Sequence, residues 1–201
     1  MNSRLTQPED RAVLRVQRGP LCEFMAAEHV RLDELLTEAS ARTGMTASKA
    51  YASFREGLLR HIRMEEKILL PAAERRHRGE PLTLAGRLRL DHGALAALMM
   101  LPPVASTFNA VRAVLDAHNP LEEAKGGVYE QCEDLVGLEA DELLARCHAT
   151  PRVPVSPWID SPKVLAAAKR LLIRAGYEDS LLNPRDEVVV ATFVAGKRDE
   201  V

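Results

Sequence analysis

The chain has 201 residues, of which 46% are hydrophobic, 28% charged and 4% aromatic, a length that buries one sizeable core. Its 27 basic and 29 acidic residues give a formal net charge of −2, so no strong field draws it to nucleic acid or to an anionic membrane. The longest apolar run, Gly93 to Ala105, contains Pro102 and Pro103 and is too short to span a bilayer, and Met1 to Pro20 has no apolar stretch that would read as a signal peptide.

Residues 1–19 read as a polar arm closed by Gly19-Pro20. From Leu21 the apolar residues recur at three- and four-residue steps (Phe24, Met25, Leu32, Leu35, Leu36, Ala39), with His29 on the same stripe, and this predicts a helix ending near Gly44. A second helix is expected from about Ala47 to Arg76, with Phe54, Leu58, His61, Ile62, Glu65 and Leu69 on one face and a kink or early end at Pro71. A third spans about Leu82 to Met100 and carries Leu84, Leu88, Asp91, His92, Leu95 and Met99; Leu101-Pro-Pro stops it. The fourth begins near Ser106 or Thr107, both good N-caps, and carries Phe108, Val111, Leu115, His118 and Glu122, with Tyr129 continuing the same face. A shorter helix from about Gly137 to Cys147 follows.

Near residue 150 the composition shifts. Pro151, Pro154, Pro157 and Pro162 mark a linker, Asp160-Ser161-Pro162 opens another helix that Gly176 closes, and Glu187 to Val194 (EVVVATFV) reads as a strand. That strand must pair with Arg152–Val155, with another chain or with nothing. The expected fold is all-α: an antiparallel four-helix bundle with a short extra helix and a small α+β C-terminal extension, organised as 1–19, 20–149 and 150–201.

Each of the four main helices carries one histidine on its apolar stripe: His29, His61, His92 and His118. Glutamate follows two of them at i+4, as His61…Glu65 and His118…Glu122, a spacing that places both side chains on one face. Unpaired polar groups pointing into a bundle are costly. A single inward histidine is more often a satisfied core residue than a ligand. Four of them, one per helix and two with a carboxylate partner, suit two transition-metal ions, with carboxylates able to bridge the cations.

The segments EHVRLDELL (28–36), LLRHIRMEEKILLP (58–71), LRLDHGALAAL (88–98) and AHNPLEEAKGGVYE (117–130) resemble the hemerythrin-like HHE cation-binding domains over about Leu21 to Leu144. The resemblance implies a four-helix bundle around two iron ions, a non-haem di-iron centre bridged by two carboxylates and an oxo or hydroxo group. It places His29, His61, Glu65, His92, His118 and Glu122 on the ligand positions. Zinc or manganese can occupy the same nitrogen and oxygen donors. Two positions depart from the oxygen-carrying members. Where those have a further histidine one turn after the third-helix ligand, this chain has Ala96, so one ion keeps an open position. Their last carboxylate would select Glu123; ideal helix geometry favours Glu122, and the twist at Pro120 leaves Glu123 open.

Other residues read as less specific. Tyr129 can donate a hydrogen bond to a ligand or serve as an ordinary core tyrosine, and Asp33 or Glu28 can orient His29 or form a solvated acidic face. Glu66 points off the stripe towards the surface, and His77 and His148 read as exposed. Cys22, Cys132 and Cys147, without CxxC spacing, read as reduced thiols of a cytoplasmic protein. Function is expected to be binding or sensing of oxygen, nitric oxide, redox state or iron. The alternative is a di-iron enzyme that reduces peroxide, oxygen or nitric oxide, or delivers iron for iron–sulfur repair; a plain helical adaptor is the third reading. The expected partner is a small ligand such as O2, NO or peroxide, with no nucleic acid and no membrane; the lone strand is compatible with a homodimer.

Overall fold

The computed structural model describes residues 19–41 and 44–182; the arm before Gly19 and the strand expected at 187–194 lie outside the described residues. Helix α1 spans Pro20–Ala41 and α2 Gly44–Met64. A π-turn over Glu65–Leu69 leads without interruption into α3, Leu70–Arg76. Then follow α4 (Ala85–Leu98), α5 (Ala105–Glu123), α6 (Val128–Val136), α7 (Ala140–His148) and α8 (Pro162–Arg174). Among the described residues there is no strand, and no helix is long and apolar enough to cross a membrane. The segment 152–155, offered above as a pairing partner for the strand, is irregular. The α+β character expected of the C-terminal extension is therefore not seen in the described part, which is helical.

The bundle is formed by α1, α2 with α3, α4 and α5. α1 packs antiparallel to α2: His29 stacks near His61, while Leu32, further along α1, reaches Gly57, earlier on α2. α4 runs antiparallel to the second helix, since Arg89 at its start pairs with Glu66 and Glu74, whereas Met99 at its end accepts from Arg55. Two apolar clusters fill the interior. One gathers Leu32, Leu36, Phe54, Leu58, Leu95, Leu98, Val111 and Val114; the other gathers Met25, Met64, Leu69, Leu88, Val128 and Cys132. Each bundle helix leaves one cluster and enters the other through a histidine: Met25–His29–Leu32, Leu58–His61–Met64, Leu88–His92–Leu95, and Val114–His118 followed by buried Glu122. The polar residues thus form a belt across the middle of the core.

Three expectations are corrected. Pro71 does not end the second helix. It occupies the first turn of α3, where the widened π-turn before it accommodates the missing N–H, and the chain stays helical to Arg76. The fourth helix starts at Ala105, capped by extended Val104 (φ −110°, ψ 163°), with Ser106 and Thr107 buried in its first turn rather than acting as caps. It also ends at Glu123: Ala124 is extended, Gly126 turns at φ 74°, and a separate helix, α6, carries Tyr129 back towards the bundle.

The proline-rich segment after α7 is tied down, not free. Arg60 donates to the carbonyls of Cys147, His148 and Thr150, Arg55 to those of Met99 and Ser156, and the Ile159 amide bonds the Met100 carbonyl. α8 then lies on α4 and contributes Ala168 and Leu172, fully buried, to the first apolar cluster.

Candidate metal centre

His29, His61, His92, His118, Glu65 and Glu122 converge at the belt, each 6% exposed or less. Their donor atoms form two overlapping groups. His29, His61, Glu65 and Glu122 lie within 4.8 Å of one another, and so do His92, His118, Glu65 and Glu122. The two carboxylates belong to both groups, while each pair of imidazoles belongs to one. The rings pair accordingly, with centroids 4.5 Å apart for His29 and His61 and 4.9 Å for His92 and His118.

Their local placement follows from helix periodicity. The i, i+4 spacing carries His61 and Glu65 inward together, and Glu65 is the first residue of the π-turn. Pro120 lies within α5 without breaking it, so Glu122 stays on the His118 face, buried to 1% exposure, with 3.2 Å between His118 Nε2 and Glu122 Oε1. Glu122 therefore faces the belt. Glu123 turns the other way and accepts from His29 Nδ1 at 2.6 Å.

That contact belongs to a pattern that residue spacing within one helix does not reveal. Glu66, expected at the surface, accepts from His92 Nδ1 at 2.7 Å, and Asp91 Oδ2 lies 3.4 Å from His118 Nδ1. Three of the four imidazoles thus have a carboxylate on Nδ1, and donation there leaves the Nε2 lone pair facing the centre, as a metal ligand requires. Each supporting carboxylate is the sequence neighbour of a centre residue: Glu66 of Glu65, Asp91 of His92, Glu123 of Glu122. One step along a helix rotates a side chain by about 100°, which aims it at the histidine of an adjoining helix. That adjacency was the available signal. Asp33 and Glu28, suggested as partners of His29, instead pair with Arg112 and with Arg31 and Arg60.

Tyr129 enters the same space from α6. Its hydroxyl donates to Glu65 Oε1 at 2.5 Å and lies 3.0 Å from Glu122 Oε2 and 3.2 Å from Nε2 of both His29 and His61.

Burial and mutual charge set the electrostatics of these residues. Burial opposes charge on Glu65, yet His61 and His92 hold its carboxyl well below the usual range. Glu122 is pushed up, first by burial and then by the Glu65 charge. Burial works against charge on His92 and His118, but Glu65 and Glu66 raise the first to about 9, and Asp91 and Glu122 raise the second to about 10. Burial, Glu122 and Glu65 push the Tyr129 phenol well above 10. Glu65 Oε2, His92 Nε2 and Glu122 Oε1 are buried without a well-directed hydrogen bond among the described residues. Converging lone pairs with two facing carboxylates are the arrangement that buried cations satisfy, and the four-nitrogen, two-carboxylate donor set fits iron.

His77 and His148 are exposed and take no part. The three cysteines are buried; burial pushes Cys132 up to about 12 and Cys147 up to about 11, so neither of these two is a ready nucleophile.

The fold and site together define a helical-bundle cation-binding protein with a buried histidine–carboxylate centre. The family model of the hemerythrin HHE cation binding domain matches residues 21–125, just over half the chain. The chain belongs to that family. Searches of curated proteins and of solved structures gave no match.

Proposed function

We propose that the chain is a dinuclear non-haem iron protein that binds or senses a small ligand (oxygen, nitric oxide or peroxide), or reports its own redox state or iron supply. One observation carries this reading: two imidazole pairs share two buried carboxylates, so the donors divide into two equivalent positions rather than one. In this reading His29 and His61 would hold one ion and His92 and His118 the other, with the carboxylates of Glu65 and Glu122 within reach of both. Bound iron supplies a redox-active Lewis-acid pair. The chain's own part is to fix the imidazoles through Glu123, Glu66 and Asp91 and to keep the centre dry between two apolar clusters. A 280 Å³ cleft between α1 and α5, lined by His29, Leu32, Leu36, Leu115 and Asn119, reaches the edge of the centre.

Sensing is favoured over catalysis by a line of contacts from the centre to the C-terminal extension. Asp91, which supports His118, also pairs with Arg87 at 3.0 Å; Arg87 in turn donates to the Ala175 carbonyl at 2.6 Å and the Tyr177 hydroxyl at 3.0 Å. A change at His118 therefore has a direct mechanical route to the end of α8. The compartment proposed is the cytoplasm, a reducing environment in which cysteine thiols persist.

The test is elemental analysis of protein purified without chelator, with an optical spectrum before and after dithionite and again after air. About two irons per chain and a ferric spectrum that bleaches and returns would support the reading. Zinc or manganese at the same stoichiometry would keep the centre and change the metal. Turnover of peroxide, oxygen or nitric oxide would replace the sensor by an enzyme, and absence of metal after anaerobic Fe(II) reconstitution would leave a helical adaptor.

A further inference from the structure

The two positions of the centre are not equivalent once Tyr129 is included. Donors about 2.0–2.1 Å from one ion and at right angles to each other lie about 3 Å apart. The Tyr129 oxygen stands near that spacing from three donors on the His29–His61 side, 3.2 Å from His29 Nε2, 3.2 Å from His61 Nε2 and 3.0 Å from Glu122 Oε2, and closer, at 2.5 Å, to Glu65 Oε1; of the four imidazoles it contacts only these two. A phenol that only donates a hydrogen bond needs one acceptor. This one lies within 3.2 Å of four donor atoms. Among the described residues no comparable oxygen adjoins the His92–His118 group; Asp91 approaches His118 from the Nδ1 side, away from the centre. Tyr129 also lies four residues beyond the matched span of 21–125 and is brought in by α6 after the turn at Gly126 and Gly127.

Resting on the dinuclear reading above, we propose that Tyr129 is a direct oxygen ligand of the His29–His61 ion, so that the exogenous ligand binds at the His92–His118 ion. On coordination the phenolic O–H bond breaks, the metal–oxygen bond forms and the proton leaves to solvent; no electrons are exchanged. The second half of the proposal follows from Ala96, which stands one turn after His92 on α4, where no side chain can supply a further donor. Tyr129 fills one ion's coordination and Ala96 leaves the other's incomplete. The asymmetry directs a small ligand to the ion whose histidine connects through Asp91 and Arg87 to the C-terminal extension.

The experiment is resonance Raman and visible absorption of the full chain loaded with Fe(II), oxidised in air and assayed for iron, prepared with ordinary and with ring-deuterated tyrosine. Tyrosine ligation gives a visible phenolate-to-iron(III) charge-transfer band whose enhanced ring modes shift with deuteration. Tyr129→Phe should remove the band entirely while retaining iron. Azide added to the wild type should then perturb the iron spectrum without displacing the phenolate modes. Iron-loaded wild type without phenolate modes overturns the proposal and leaves the dinuclear reading intact. Phenolate modes that survive in Tyr129→Phe also overturn it, since Tyr51 or Tyr177 would then be responsible. Displacement of the phenolate by azide overturns the second half alone. Failure of the wild type to retain iron overturns the dinuclear reading and this proposal with it. Should Tyr129→Phe not fold, Tyr51→Phe and Tyr177→Phe decide instead: phenolate modes retained in both leave Tyr129 as the ligand, and their loss in either overturns the proposal.

Discussion

His61→Ala and His118→Ala each remove an imidazole from a centre in which two carboxylates already face one another, so metal content and thermal stability should fall together. Removing a partner from a buried charge cluster costs about 3–5 kcal/mol, and loss of the ion adds to that. Elemental analysis beside a thermal melt checks both; two irons per chain in either variant would contradict the ligand set. Glu122→Ala should lose metal severely. Glu123→Ala, which only releases His29 Nδ1, should weaken affinity by about 10–100-fold. Acidity should separate the two forms of the protein. With no metal, the folded pKa values of His92 and His118, about 9 and about 10, lie above the unfolded imidazole value. Their contribution is fully present below the unfolded value and is lost as pH rises through 9 to 10. At the acid end Glu65, lowered, and Glu122, raised, oppose each other. The melting temperature of chelator-treated protein should therefore decline from neutral pH towards pH 10, whereas the loaded form, whose imidazoles are already deprotonated, should instead lose metal as pH falls. Melts of both forms across this range would show it.

The connection between α5 and α6 decides where Glu122 and Tyr129 meet, and it has no room to change. A Cβ on Gly127 would lie 2.6 Å from the Glu122 carbonyl oxygen and 2.7 Å from that of Ala124. Both are backbone atoms, which cannot swing aside. Gly127→Ala should cost about 1–3 kcal/mol in urea unfolding and lower metal content as well, because the displaced turn lies between two residues of the centre. A stable, fully loaded variant would show that the turn can relax. The π-turn has a comparable role on the other side of the site. It starts at Glu65, places Glu66 under His92, and makes room for Pro71. Helical spacing with 3.6 residues per turn could place His61 and Glu65 together, but not show that the turn after them widens, because that choice depends on what packs against it.

The bundle and the extension share one core. Ala168, Leu172, Ala175 and Leu182 are buried in the cluster that also holds Phe54, Leu98 and Val111. Truncation after Thr150 should therefore destabilise the bundle by several kcal/mol, given about 1.5–3 kcal/mol for each large apolar side chain exposed; a melting temperature equal to that of the full chain would contradict this. The four inward histidines, the two HxxxE pairs and the helical class were legible in the sequence because helix periodicity is local: a side chain's face is set within a turn or two of its own position. The supports on His29, His92 and His118, the arrival of Tyr129 from a separate helix, and the docking of α8 were not. They depend on how far each helix is rotated and shifted against its neighbours, and that is settled only when the two apolar clusters close around the polar belt.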